Sequence, residues 1–179
     1  GKIKGELNVR WAKKGESLKL LNEQTVELDD DVGIICAGEA IESLAGMMGG
    51  EATAVSLDTQ DVYMEAAFWY PEAIAGRARR YKFASEASHR FERGVDFNNV
   101  VEHLEYISAL VLELCGGQAG PVDDTIVNLP ERKPVSMRLE RCQKILGVKV
   151  SAEQVASIFR QLGLEFSQDA GVYTVTPPS

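Results

Sequence analysis

From residue 5 onward the chain alternates apolar and polar positions in short runs. GELNVRWA sets Leu7, Val9 and Trp11 on one side of a strand. LKLL and TVEL follow across turns at Lys14-Gly15 and Asn22-Glu23, and the apolar run VGIICAG closes residues 5 to 38. Period-two alternation between turn residues predicts strands, and their succession predicts a β meander. EAIESLAGMMGGEATAV then places Gly46, Gly49 and Gly50 between two apolar runs. Glycine there marks a turn or bulge, or admits the close approach of a neighbouring backbone or ligand. VYMEAAFWY, residues 62 to 70, reads as a buried strand with Glu65 at its centre. By pattern alone that carboxylate faces solvent, or it is buried and needs a partner, because an unpaired buried charge is costly.

The period then changes to that of helices. Pro71 suits a first helical turn, so PEAIAGRARRYK predicts a short helix. Ser85 is an N-cap for SEASHRFERG, with Gly94 ending it. Val100, Leu104, Ile107, Val111 and Leu114 recur at steps of four and three and form one apolar stripe that stops at Gly116-Gly117. GPVDDTIVNLPERKP reads as a connector and puts a domain boundary near Glu131, giving domains 1–130 and 131–179. Beyond it come a strand in PVSMRL and a short helix in LERCQKILG. A second helix, SAEQVASIFRQLG, has Ser151 and Gln154 in capping-box positions and Val155, Ile158, Phe159 and Leu162 on one face; a hairpin in LEFSQDAGVYTVTPP follows. The fold class is therefore α+β: a mixed β-sheet with packed helices, followed by a small α+β module whose surface charge reads as mixed, with no basic recognition helix.

Charge sharpens this picture at one place. The 179 residues carry a formal net charge of -8, yet residues 76 to 96 hold Arg77, Arg79, Arg80, Lys82, Arg90 and Arg93 against Glu86, Glu92 and Asp96. Such a run is either a polyanion site or a solvated face of internal ion pairs. Cys36, Cys115 and Cys142 are far apart and odd in number, which argues against a disulfide framework and for a reducing cytoplasm. They match no metal-ligand spacing, so no metal site is expected. The longest apolar stretch, around Ile107 to Leu114, is interrupted by Glu113 and is too short for a membrane span, and the N-terminus has no signal-peptide pattern. His103 reads as a bystander, and His89, among the arginines, has no paired nucleophile or carboxylate at an interpretable spacing. The ends, GKIKGELNVRWA and TVTPPS, do not read as natural boundaries, so the chain is expected to be a piece of something larger.

The words LAGMMGGEATAV, VYMEAAFWYPEAIAGRARRYKFASEASHRFERGVD, LELCGGQAGPV and RLERCQKILGVKVSAEQVASIFRQLGLEF together resemble bacterial phenylalanyl-tRNA synthetase beta subunits, over essentially the whole chain. The resemblance implies that residues 1 to about 130 are the larger part of an editing domain that removes tyrosine wrongly attached to phenylalanine tRNA. The remainder then resembles a small module of DNA-binding-like fold, an analogy that carries no DNA partner. It also implies that Glu65 selects the tyrosine hydroxyl, that Gly49 with its neighbour Gly50 lines the pocket, where a side chain should occlude the slot, and that Ala87 forms the opposite wall. Ser85 matches a hydroxyl position that is threonine in some relatives. Hydrolysis then uses a positioned water, with help from the terminal ribose and backbone donors, and no water-activating residue is assigned. Arg77, Arg79, Arg80, Arg90 and Arg93 are candidate tRNA contacts. By the same resemblance this piece binds no cofactor of its own, ATP and Mg2+ serve the holoenzyme, and the partners are an alpha subunit in an alpha2-beta2 heterotetramer and phenylalanine tRNA. A histidine in a HAF-type word near the family's pocket is absent here, and the family's domain begins upstream of Gly1, so an incomplete pocket is expected. The alternatives from other classes are a tRNA-binding or subunit-assembly module without hydrolysis and a free-standing deacylase acting in trans.

Overall fold

The computed structural model describes residues 2–179. They form two compact units, one ending at Asp124 and the other spanning Thr125–Ser179. Strands and helices mix in an α+β fold, and the sheets are antiparallel throughout.

The predicted meander is corrected in its pairing. Strand β1 (Leu7–Trp11) pairs directly with β4 (Gly33–Ala37), which continues to β5 (Ala40–Leu44) and β6 (Met48–Gly49). The intervening β2 (Ser17–Lys19) and β3 (Thr25–Glu27) form a separate hairpin. The Leu20–Gly50 bridge joins the end of β2 to the end of β6. The face assigned to β1 also differs from the expectation. Arg10 stands opposite Ile34 and Asn8 opposite Cys36, and both β4 residues are buried, so the core side of β1 is its polar side. Val9 and Trp11 remain 59% and 55% exposed. Arg10 is accommodated there by a bidentate ion pair with Glu16, at 2.7 and 2.9 Å. That pair and the Lys13 amide hold the Glu16 carboxyl down at about 2.

The core of the first unit gathers Leu18, Leu20, Val26, Leu28, Val32, Ile34, Cys36, Leu44 and Met47 from the strands and turns, with Ile74 and Ala78 from two one-turn helices. These are α1 (Pro71–Ile74) and α2 (Arg77–Arg80), which replace the single helix expected there. Gly76, at φ +76°, breaks it. Helix α3 (Glu86–Phe91) follows, then a 3-10 turn at Phe97–Asn99 and α4 (Val100–Cys115). No residue of α4 is buried, and Ile107 and Leu114 of its apolar stripe are exposed, as is the neighbouring Leu110. The stripe is a real helical pattern that is only partly covered, with Val100, Leu104 and Val111 half-buried.

In the second unit β7 (Val135–Arg138) and β8 (Phe166–Asp169) flank β9 (Val172–Val175), with α5 (Leu139–Leu146) and α6 (Ala152–Gln161) completing the module. Its centre is Tyr173, fully buried, edge-on to Phe159 and donating its hydroxyl to the Ala152 carbonyl at 2.9 Å. Ser151 and Gln154 form the reciprocal capping box at the start of α6. The buried face of α6 is Val155 and Ala156, with Phe159 half-buried; Ile158 and Leu162, expected on that face, are exposed. Among the described residues no helix is long and apolar enough to cross a membrane.

Candidate functional site

The site grows from the tight turn between β5 and β6. Gly46 sits there at φ +66°, and a Cβ in its place would lie 2.7 Å from Trp69 Cδ1 and 2.9 Å from Ile74 Cδ1. Only glycine accepts both that backbone and that contact. Trp69 thus seats on the turn and packs against the core, with its indole N–H buried and without a hydrogen-bond partner.

The next residue, Met47, is buried, and its carbonyl accepts a hydrogen bond from the Ser85 hydroxyl at 2.6 Å. Ser85 also caps α3: its oxygen accepts from the Ser88 amide at 3.0 Å, and Ser88 Oγ accepts from the Ser85 amide at 3.2 Å. One serine therefore starts the helix and ties it to the β5–β6 turn. Ala87 lies in the first turn of that helix, half-buried.

Gly49 and Gly50 follow directly on the same strand. The Gly49 carbonyl accepts from the Leu21 amide at 3.0 Å, and a Cβ on Gly49 would meet Leu21 Cδ1 at 3.3 Å. A Cβ on Gly50 would instead stand 2.8 Å from the Glu42 carbonyl oxygen and 3.0 Å from Leu18 Cδ1. Gly50 is thus fixed by backbone packing under the hairpin, a reason independent of any slot.

The segment carrying Glu65 departs from the expectation. Residues 62–70 form no ladder and belong to no regular element, so the predicted strand is absent. The apolar alternation there is used by packing: Phe68 meets Tyr70 and Phe97 edge-on, at centroid distances of 5.2 and 5.5 Å. Glu65 itself makes no hydrogen bond or ion pair among the described residues. As a residue it is exposed, yet enough protein surrounds the carboxyl that desolvation raises its pKa. The structure therefore links Ser85 to the turn that leads into Gly49 and Gly50, and leaves Glu65 as an unpartnered carboxyl on the segment that ends at Trp69.

The basic run resolves into mostly internal pairs. Arg80 reaches Asp31 at 2.6 Å and Asp29 at 3.6 Å, which holds the Asp31 carboxyl below its usual range. Arg77 donates to the Asp31 carbonyl at 2.7 Å, Arg90 pairs with Glu86, and Arg93 pairs with Glu92 at 2.7 Å. Among the described residues, Arg79 is the one of the five candidate arginines without a side-chain hydrogen bond or salt bridge. Arg93 Nη1 also lies 3.1 Å from His89 Nδ1 and donates to the His89 carbonyl at 2.8 Å. Among the described residues no group of three or more His, Cys, Asp or Glu is placed to hold a metal ion.

Sequence reasoning missed Trp69 and the Met47 carbonyl, because the contacts that make them matter join residues more than twenty positions apart. The signal that was available is Gly46, the first glycine of AGMMGG.

Residues 1–116 match the B3/4 domain model, and residues 135–179 match the tRNA synthetase B5 domain model. The chain belongs to the B3/4 domain family. It is 64% identical over 178 residues to a phenylalanine–tRNA ligase beta subunit of Bordetella pertussis, covering 99% of this chain and 22% of the relative. The corresponding subunits of Ralstonia nicotianae and Burkholderia pseudomallei are 61% and 59% identical, again over 99% of this chain and 22% of theirs. The chain thus spans about a fifth of the length of the curated relatives it matches. The resemblance read from the sequence words is borne out by these matches, and Glu65, Gly49, Gly50, Ser85 and Ala87 all lie in the B3/4 unit.

Proposed function

We propose that the B3/4 unit is the proofreading part of a phenylalanine–tRNA ligase beta subunit and hydrolyses tyrosine wrongly esterified to phenylalanine tRNA. The observation that carries this is Glu65, a carboxyl whose pKa the surrounding protein raises and which makes no hydrogen bond among the described residues. Such a group is incomplete until a donor arrives, and the tyrosine phenol is that donor. A phenylalanine ring would leave it unsatisfied, at a cost of about 1–3 kcal/mol, which separates the two esters. A synthetic pocket shaped for an apolar ring cannot strongly reject an isostere that adds a hydroxyl, so the second sieve has work to do.

The Trp69 contact at Gly46 and the Ser85–Met47 bond support a slot at this turn, with Gly49 and Ala87 as its proposed small walls. A water held near the ester then attacks the carbonyl, with the terminal ribose assisting and backbone amides stabilising the oxyanion. His89 is given no part in this scheme. ATP- and Mg2+-dependent aminoacylation belongs to the holoenzyme with its alpha subunit, as a cytoplasmic alpha2-beta2 assembly, and no step of it runs through these residues.

The test is deacylation of tyrosyl-tRNA bearing the phenylalanine anticodon, using the full-length beta subunit with its alpha partner, wild type against Glu65→Ala. Loss of tyrosine removal with aminoacylation intact supports the assignment. Equal hydrolysis by both proteins removes Glu65 from the role. A wild type that does not hydrolyse favours the second reading, a tRNA-binding or subunit-assembly module, to which the exposed apolar residues Val9, Trp11, Ile107 and Leu114 already lend support.

A further inference from the structure

One polar side chain of the first unit is buried and has no part in the chemistry described so far. Ser88 is 5% exposed, and among the described residues it is the one polar or charged residue that is buried. It occupies the third position of α3, where a capping box usually carries Glu or Gln. A carboxylate at that depth would be a buried charge, whereas a hydroxyl can be satisfied by the backbone beside it. Ser88 Oγ accepts from the Ser85 amide at 3.2 Å and donates to the Ser85 carbonyl at 3.0 Å.

Counting protons decides what Ser85 can still do. A hydroxyl has one proton to donate and two lone pairs with which to accept. The Met47 carbonyl has no proton of its own, so the 2.6 Å contact uses the proton of Ser85. Ser85 Oγ accepts from the Ser88 amide at 3.0 Å and has Ser88 Oγ as a further neighbour at 3.1 Å. In this arrangement Ser85 has no proton left for a substrate or an attacking water. Its hydroxyl is a tie between two pieces of backbone, and Ser88 holds the oxygen that makes the tie.

The two pieces are the ones that carry the proposed walls. Met47 is buried and lies two residues before Gly49, while Ala87 lies between Ser85 and Ser88. Helix α3 has six residues, too few to hold its own orientation without tertiary contacts. At its far end Phe91 packs against the core, and at its near end the two serines fasten it to the β5–β6 turn. Loosening the near end while Phe91 stays seated would swing the first turn of α3, and Ala87 with it, relative to Gly49.

We propose that Ser88 is a positioning residue for the proofreading slot: acting through Ser85, it sets the separation of Ala87 and Gly49, and neither serine touches the ester. This rests on the proofreading reading and moves Ser85 from a contact of the substrate to part of the frame around it. A slot of fixed width holds the ring where its phenol meets the Glu65 carboxyl. A looser one lets the ring shift, and a misplacement of about 1 Å can cost on the order of a hundredfold in rate.

The experiment measures deacylation of phenylalanine tRNA charged with tyrosine and, separately, with phenylalanine, using the full-length beta subunit with its alpha partner. Ser88→Ala should lower kcat for tyrosine removal about tenfold, the effect of a displacement smaller than 1 Å, with KM nearly unchanged. Hydrolysis of the phenylalanine ester, which makes no use of a bond to Glu65, should fall less, so the ratio of tyrosine to phenylalanine removal drops. A general loss of stability would lower both rates alike. Ser85→Ala should show the same pattern, and the double variant should be no worse than Ser85→Ala, because the two serines act through one set of bonds. Ser85→Thr keeps the oxygen and should restore most of what Ser85→Ala loses. Aminoacylation at the wild-type rate shows that each assembly is intact. Where Ser88→Ala fails that check, Ser88→Cys, which fills the same space with a weaker donor and acceptor, replaces it, and the ratio should drop in the same sense. If Ser85→Ala lowers the rate while the Ser88 variant does not, Ser85 meets the substrate directly and the proposal is overturned; an equal fall for both esters also overturns it. A wild type that removes no tyrosine fails the proofreading reading and this proposal with it, so the two failures are told apart by the wild type alone.

Discussion

The packing of Trp69 on Gly46 can be tested by adding a single methyl group. In Gly46→Ala the new Cβ would stand 2.7 Å from Trp69 Cδ1 and 2.9 Å from Ile74 Cδ1, on a backbone at φ +66°. The left-handed conformation costs an alanine about 1–2 kcal/mol, and overpacking a closed core typically costs about 1–3 kcal/mol more. The substitution should therefore destabilise the first unit by about 2–5 kcal/mol. Gly76 separates the two contributions: its φ is +76° but nothing lies within 4 Å of a Cβ there. Gly76→Ala should cost only the backbone share, about 1–2 kcal/mol. Urea denaturation followed by tryptophan fluorescence reads the right unit, because Trp11 and Trp69 are the chain's two tryptophans and both lie before Asp124. If Gly46→Ala proves no more damaging than Gly76→Ala, Trp69 does not depend on the bare turn and the account of how the site is seated fails.

Two further outcomes follow from named groups. Burial raises the Glu65 pKa, so the folded chain keeps that proton to higher pH than the unfolded chain does. The contribution to stability is favourable at low pH and is lost as pH rises through the interval above the ordinary carboxyl value of 4.5. Glu65→Gln should accordingly melt higher than wild type at pH 7, with the gap closing at pH 4; thermal melts across that range that run parallel would remove the desolvation argument. In the second unit, Tyr173→Phe deletes the hydroxyl bonded to the Ala152 carbonyl and should cost about 0.5–1.5 kcal/mol. Faster hydrogen exchange confined to α6 and β9 is the expected signature, and unchanged protection would show the bond to be idle.

Much of the local structure was legible because its causes are local. Ser85 and Ser151 announce helix starts through oxygens placed three residues before an amide they can bond, and both boxes formed. Alternation identified β1 and an apolar run identified β4, but the pattern could not say which side of β1 faces the core: three apolar residues outvote Arg10, and the pairing with Ile34 and the ion pair with Glu16 decide the matter. The same limit applies to residues 62–70, where alternation records which side chains are covered and carries nothing about whether a ladder partner exists. The arginines show it most clearly. Their charge is visible in the sequence, while the carboxylates that neutralise Arg77 and Arg80 sit nearly fifty positions earlier.

The bond from Ser85 to the Met47 carbonyl spans 38 positions of sequence. It fixes both ends of an excursion of which the stretch from about residue 54 to 70 has no regular structure. Doubling the length of a tethered loop adds only about 0.6 kcal/mol of closure entropy. Insertions and deletions before Trp69 are therefore cheap, provided the two anchor points are kept. A lineage could lengthen, shorten or rewrite the segment that carries Glu65 while the sheet beneath stayed as it is.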